Sequence, residues 1–542
     1  MRRNCSATQK TLTAALVFAA LVSSPVLAQP GRNALAPLPA DQWDTQAAAH
    51  LLRRAGFGGT PAQIAELAKL GLNGAVDSLI EFQQTEYDCP PPPIESMTRE
   101  NPADPKMVRA LSEAERQEFQ QKQRQAERRT FEETRLWWIE RMATSPRPLE
   151  ERMTLFWHGH FTSGFREVKR AVFMKEQNDL LRKYALGNFR DLVLGVSKDR
   201  AMLAYLDGVR NVKGAPNENY ARELMELFTL GVGNYTETDV KAAARAFTGW
   251  GFDEDGFAFR ARLHDSGVKN FLGRSGNFDG ADIVDIILEQ PACARYLARR
   301  LLLAFVRPDP DQTLVEALAR EIQKNKYELR PTLRTLFRSQ AFYHPDSRGC
   351  LVKSPTQLLV GLSRELDIPI NNLVAAERAL VNMGQELMQP PNVKGWPGGS
   401  AWINTATLYA RYNVLGGMIN GAGGELQTRA VRAALGSAPS DDNKNDEEKM
   451  MAGGNSPKSR LNGGAQTPFD PIRWLGGTLT AEDTVDAFTA YLLASRLAPG
   501  KRDQLVHYLA DGGALKSDDK ATQQRLRTMV HLLCSTPEYQ LY

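Results

Sequence analysis

At 542 residues the chain is too long for one compact core, because single cores stop growing near roughly 250–300 residues, so two or three packing units are expected. An apolar share of 42% and a charged share of 24% are ordinary globular values and exclude a disordered or fibrous protein. Lys+Arg 67 against Asp+Glu 63 leaves +4, too weak a field to gather nucleic acid.

Residues 1–28 read as a secretory signal peptide. Arg2, Arg3 and Lys10 are its positive region, Thr11 to Val22 its apolar stretch, and Val26-Leu27-Ala28 a small-residue cleavage site before Gln29. The apolar stretch is shorter than the ~20 residues a membrane helix needs, and no later run approaches ~18. Cleavage removes three positive charges and no negative ones, so +4 falls to +1. The expected address is periplasmic or secreted, with no membrane span in the mature chain. Cys5 leaves with the signal. Cys89, Cys293, Cys350 and Cys534 remain in a compartment that permits disulfides, and their spacing does not choose among the three pairings. The alternative is four small, buried thiols.

Residues 29–42 are Pro/Ala-rich and loose. A helix is expected over 45–56, ended by Gly56. Gly58-Gly59-Thr60-Pro61 supplies an N-cap and a first-turn Pro for the next, which carries Ile64, Leu67, Ala68 and Leu70 at helical spacing. The Pro run from Cys89 to Pro93 stops helix. Residues 110–143 form a long helix, solvated first and buried late at Phe131, Leu136, Trp137 and Trp138. Residues 147–230 are mostly helical, and Thr236 with Asp239 opens another helix by a capping box. The period then changes. Phe257, Phe259, Ala261 and Leu263 alternate with more polar residues after the turn Asp255-Gly256, a strand signal. Helices resume at Asp279 and run to about residue 385. The fold class is thus mainly α: multi-helical packing with one small β-hairpin near residues 250–273. A main helical domain spans 29–435, a disordered linker or insertion 436–467, and a C-terminal helical segment, 468–542, packs on the main domain.

No phosphate-binding GxxxxGK[ST], HExxH, G-x-S-x-G, GxGxxG or EF-hand pattern occurs. Chemistry therefore has to come from dispersed polar groups. Between the caps Asn217 and Gly231, Tyr220, Leu224, Leu227 and Phe228 make an apolar stripe at 100° per residue, with Glu218, Arg222 and Glu226 as a solvated ladder opposite. Asn219 and Glu223 fall inside the apolar arc. A buried carboxylate needs a partner, so Glu223 is expected to be paired, either as a site carboxylate or as a structural tie to an Arg. On that wheel Glu223→Ala costs roughly 3–5 kcal/mol and Glu226→Ala within about 0.5 kcal/mol.

His158-Gly159-His160 shares a divalent metal if its backbone is extended, with Glu223, His264 or Asp265 as third ligand; in a helix the two rings point apart and instead cap the helix end among aromatics. His264-Asp265, with Lys269 four residues on, sits where the strand is expected to end. There Asp265 either orients the imidazole for acid/base work or takes part in turn chemistry. Pro390 to Gly399 is a rigid loop, anchored by Trp396 and Trp402, that either lines a groove or packs between helical lobes. Asn219, Lys269, Trp250, Lys394 and Trp396 are the ligand-binding candidates.

Taken together, Leu51 to Gly58, Phe156 to Phe161, Asn217 to Gly231, Ala246 to Trp250, His264-Asp265 with Lys269, Lys353-Ser354-Pro355 and Pro390 to Gly399 resemble the bacterial domain-of-unknown-function family numbered 1800. The resemblance covers about residues 45–425 and resumes in the final helices; 436–467 looks like an insertion. It implies an exported protein, often encoded beside a family similar to sulfatases and alkaline phosphatases. Two functions follow as expectations. One is an envelope hydrolase or ligand-binding enzyme with a polar cleft of Asn219, Glu223, His264, Asp265 and Lys269. The other is a non-catalytic partner or scaffold for a sulfatase-like exported protein encoded nearby.

Overall fold

Residues 35–90, 109–421, 466–475, 480–498 and 500–542 are described by a computed structural model. The expected signal peptide and residues 436–465 of the expected linker lie outside them.

Local capping accounts for the first helices. Asp44 accepts from the Ala47 N–H at 2.7 Å and opens α1 (Thr45–Ala55). Thr60 and Gln63 form a capping box, with Pro61 in the first turn, and open α2 (Pro61–Lys69); α3 spans Gly71–Ile80. Ser112 and Glu115 cap α4 (Glu113–Thr144), which is exposed along most of its first half and buries Phe131, Leu136, Trp137 and Trp138. Then follow α5 (Pro148–His160), α6 (Phe165–Val168), α7 (Ala171–Lys183), α8 (Phe189–Lys198), α9 (Arg200–Tyr205) and α10 (Asn219–Glu223). A π-helix, Leu224–Thr229, continues α10 directly. The helix α11 (Glu237–Ala246) opens on the expected Thr236–Asp239 capping box.

The β region holds two antiparallel hairpins. β1 (Trp250–Asp253) pairs with β2 (Gly256–Phe259) around the expected Asp255-Gly256 turn. The ladder ends at Phe259, and Ala261–Leu263 turn into a 3-10 helix instead of extending the strand. The Arg260 N–H donates to Gly249 O at 2.8 Å, and Arg260 O lies 2.7 Å from where a Cβ on Gly249 would be, so the chain folds back over that glycine (φ +80°). The alternation through Leu263 therefore marks no buried face: Phe259 is 50% exposed. The second hairpin, β3 (Lys269–Phe271) with β4 (Arg274–Gly276), carries no turn signal of the usual kind. Its first turn residue, Leu272, has φ +46°, and its N–H donates to Asp239 of α11 at 2.8 Å.

Beyond the hairpins lie α12 (Gly280–Glu289), α13 (Pro291–Phe305), α14 (Gln312–Lys324), α15 (Leu329–Arg338), α16 (Gln340–Tyr343), α17 (Pro355–Glu365), α18 (Leu373–Asn382) and α19 (Thr405–Asn420). The C-terminal helices are α20 (Pro471–Leu475), α21 (Ala481–Leu492), α22 (Lys501–Asp511), α23 (Lys520–Cys534) and α24 (Pro537–Gln540). Buried apolar side chains form two clusters. One is built on α1–α3, α5 and α8–α16; the other on the buried end of α4, α17–α19 and the C-terminal helices. Gln466 and Thr467, placed in the linker by composition, are bonded: Gln466 Nε2 donates to Pro369 O at 2.7 Å and Thr467 Oγ1 accepts from Asn371 at 3.1 Å. The four cysteines are free thiols. Cys293 and Cys534 are buried, and Cys350 bonds Val306 O and Arg54 rather than another sulfur. Among the described residues no helix is long and apolar enough to cross a membrane.

An ionic knot ties α4, α5 and α7. Glu151, fully buried, accepts from Arg141 Nε at 2.5 Å, from Arg182 Nε at 2.7 Å and Nη2 at 3.1 Å, and from Trp138 Nε1 at 3.0 Å. Replacing Glu151 by Gln keeps the shape but removes the buried charge both guanidinium groups share, leaving Arg141 with Glu150 (3.1 Å) and Arg182 with Asp179 (3.1 Å), a loss of about 1.5–3 kcal/mol. Urea unfolding of Glu151→Gln should show a correspondingly lower midpoint; a loss under about 1 kcal/mol would place the knot outside the cooperative core.

Candidate functional site

Three sequence motifs meet at the C-terminal end of α5. His160 Nε2 donates to Phe228 O in the π-helix at 2.9 Å. The Thr162 hydroxyl donates to Val393 O in the Pro/Gly loop. Gly395 (φ +79°) packs so tightly on Gly159 that a Cβ there would lie 2.8 Å from Gly159 O. The π-helix is held by Leu230 N–H to Met225 O, 2.9 Å, and by the Thr229 hydroxyl to Leu224 O, 2.5 Å. Tyr296 OH donates to Leu227 O at 2.5 Å, so side chains from other elements satisfy the carbonyls that this wide turn leaves open. Single π turns of this kind occur frequently at functional sites.

The π turn overturns the helical wheel. Its wider winding rotates every residue after Glu223 away from the 100° positions. Glu226 leaves the ladder and accepts from Tyr235 OH at 3.0 Å, while Arg222 pairs with Glu218 at 3.2 Å and Glu237 at 2.7 Å. Glu223 is half-buried rather than buried, and among the described residues no hydrogen bond or ion pair reaches its carboxylate. Burial and the nearby Glu226 push its pKa up; the charges of Lys394 and Arg222 act in the opposite sense. Tyr205 and Tyr235 lie within its field, and burial together with neighbouring carboxylates raises both phenols to about 12. Lys394 is exposed, and Trp396, half-buried, packs on the His158 ring at 5.4 Å. Asn219 is exposed at the start of α10.

His158 and His160 do not share a metal. The helix runs through His160, so rings two residues apart diverge. His158 Nε2 accepts from the Met388 N–H at 3.0 Å and meets Trp138 edge-on. His160 sits among Trp157, Phe161, Phe189 and Phe228. Among the described residues no group of three or more His, Cys, Asp and Glu side chains is placed to hold a metal ion.

His264, Asp265 and Lys269 each have their own structural partner, as turn chemistry requires. Asp265 takes a bidentate pair from Arg245 (2.7 and 3.2 Å), which holds its carboxyl far below the usual range. His264 Nδ1 bonds Thr248 O at 2.9 Å, and the buried Lys269 ammonium donates to Asp265 O and Gly267 O at 2.6 and 3.0 Å. Trp250 is buried edge-on to Phe247 and Phe257. Among the described residues no hydrogen bond or ion pair joins this turn to Glu223.

A polar cluster that the sequence reading did not single out lies where α1, α17 and α24 meet. The carboxylate of Glu365, 2% exposed, accepts from Tyr539 OH at 2.7 Å and faces Arg53 Nε at 3.8 Å and Lys353 Nζ at 3.7 Å. Lys353 Nζ also stands 3.5 Å from the centroid of the Tyr539 ring. Gly58 (φ +89°) makes room for the acid: a Cβ there would lie 2.6 Å from Glu365 Cγ. The sequence signal was present in two of the resemblance motifs, Leu51 to Gly58 and Lys353-Ser354-Pro355, but nothing in either names the other.

Burial drives the pKa of His158 down to about 4 and of His160 to about 3. Both values lie below the unfolded value near 6.5, so the unfolded chain binds more protons between them, and stability falls as pH drops through that window. His160→Gln, which retains a donor for Phe228 O, should lose less stability than the parent between about pH 6.5 and 4 when melting is followed against pH. Parallel curves would show that the His160 ring is protonated in the fold.

No curated protein and no solved structure matches the chain. A family model does match, over residues 50–541, which takes in every motif just described: the chain belongs to the family described as Protein of unknown function (DUF1800).

Proposed function

We propose that this chain acts outside the cytoplasm as a ligand-binding protein whose site is the face around Glu223, with Lys394, Glu226, Tyr205 and Tyr235 around it. Export rests on the charged, apolar and small-residue regions of residues 1–28. The observation that carries the binding reading is the Glu223 carboxyl itself. It is half-buried at the head of a π turn and, among the described residues, unbonded, while its neighbours Arg222 and Glu226 are bonded to Glu237 and Tyr235. A partly desolvated acid with no partner destabilises a fold, and such groups are retained where a ligand completes them. The partner proposed for the site is the sulfatase-like exported protein that the family resemblance suggests.

A second reading, hydrolysis, is favoured by the same unbonded carboxyl, whose pKa burial raises and which no hydrogen bond or ion pair among the described residues takes up, leaving it able to act as a general acid or base. One comparison separates the readings. Glu223→Gln and the parent are followed in parallel for melting temperature, for turnover of aryl sulfate, phosphate, acetate and glycoside substrates, and for complex formation with the sulfatase-like protein. The binding reading expects Gln to leave the melting temperature unchanged or higher and to weaken the complex at least about tenfold, about 1.4 kcal/mol. Turnover by the parent that is lost in Glu223→Gln would transfer the site to hydrolysis. A drop of roughly 3 kcal/mol in stability would make Glu223 a structural residue and end both readings.

A further inference from the structure

The cluster around Glu365 holds more positive charge than its carboxylate answers. Arg53 and Lys353 are 5% and 4% exposed, and Glu365 is the only acid within ion-pair distance of either among the described residues. Neither pair is close enough to be a hydrogen bond. Arg53 spends its Nη2 on Tyr491 O, whereas Lys353 Nζ has no hydrogen-bond acceptor. The buried Gln357 is in the same position. Its Oε1 accepts from the Ser354 N–H at 2.9 Å in the capping box of α17, and its Nε2 is unpartnered. Arg53, Lys353, Gln357 and Glu365 together line a small cavity closed by Phe57 and Tyr542, with room for about one occupant of water size.

Two unpartnered donors, Lys353 Nζ and Gln357 Nε2, belong to residues that line this cavity, and with Arg53 and Lys353 against the single carboxylate of Glu365 the charge left over is positive. Two cations against one carboxylate in a dry interior cost far more than a matched pair. A water molecule would accept a hydrogen bond but leave the charge unchanged. We propose that the cavity binds a single small monovalent anion of the halide class, held by Lys353 Nζ, Gln357 Nε2 and the Arg53 guanidinium. The anion makes the cluster neutral and joins Arg53 of α1 to Lys353 and Gln357 at the start of α17. Burial also lowers the pKa of Lys353, and a bound anion opposes that shift and keeps the ammonium charged.

The test uses the mature chain with bromide and chloride as probes. Crystals grown in bromide should show an anomalous peak in the cavity within about 3.5 Å of Lys353 Nζ. In solution, replacing gluconate by chloride at constant ionic strength should raise the melting temperature along a saturating curve. Gln357→Glu keeps the acceptor for Ser354 N–H and places a fixed negative charge beside the anion position, so its melting temperature should no longer respond to chloride. Lys353→Met should lose the response as well; where that variant does not fold, Gln357→Glu and the bromide map decide. A cavity without anomalous signal, with equal melting temperatures in chloride and gluconate, would overturn the proposal in favour of a neutral Lys353 beside a water molecule.

Discussion

Two buried carboxylates, each shared between two cations, hold the packed helices in register. Glu151 binds Arg141 of α4 and Arg182 of α7, and Glu365 faces Arg53 of α1 and Lys353 at the head of α17. Apolar burial drives the helices together but does not fix their rotation, because it is non-directional. A buried acid does, since only one relative placement satisfies it and any other strands a charge. The two acids differ in how complete they are. Glu151 is met by close hydrogen bonds from both guanidinium groups and an indole, and its pKa is lowered despite full burial, as the two arginines require. The Glu365 pairs are long, and donors beside them remain unsatisfied. One is a finished structural tie; the other is built around a space.

Legibility followed the range of the interaction. The N-cap at Thr60, the capping box at Thr236, the first-turn Pro61 and the hairpin turn at Gly256 act within four residues, and the structure has them where such signals belong. The long α4 was legible for the same reason, as composition changes along it from solvated to apolar. Errors arose where a distant group decided a local geometry. Arg260 folding over Gly249 ended β2 early, and Asp239 holds Leu272 in a conformation that side chains disfavour, creating a hairpin no turn residue announces.

The candidate site shows the same limit more sharply. Assigning Glu223 and Glu226 to opposite faces assumed one winding from Asn217 to Gly231. The π-helix depends on carbonyls being met by Thr229, His160 and Tyr296, two of them from other helices, so no wheel drawn on this segment alone could contain it. His264-Asp265 failed for a different reason. The residues are suited to acid/base chemistry, but Arg245, four positions after Lys241 on α11, occupies both carboxylate oxygens. Residue type was legible; whether a group is free was not, because freedom depends on every element packed against it.

That distinction bears on how function is sought in a fold of this kind. Most polar residues in the shared motifs are consumed: His158 by Met388 N–H, His160 by Phe228 O, Asp265 by Arg245, and Lys269 by two carbonyls. Such groups specify geometry, and their replacement should read out chiefly as lost stability. Among the groups left over, two places bear on ligands: the Glu223 carboxyl beside the π turn, and the donors of Lys353 and Gln357 around the small cavity. Their chemistry is opposite, an unpaired acid at one and surplus cationic donors at the other. A cationic or hydrogen-bonding ligand suits the first and an anion the second, so one ligand does not satisfy both. The half-buried face around Glu223 is open to an exchanging partner, whereas the residues lining the cavity are buried and suit an occupant that stays.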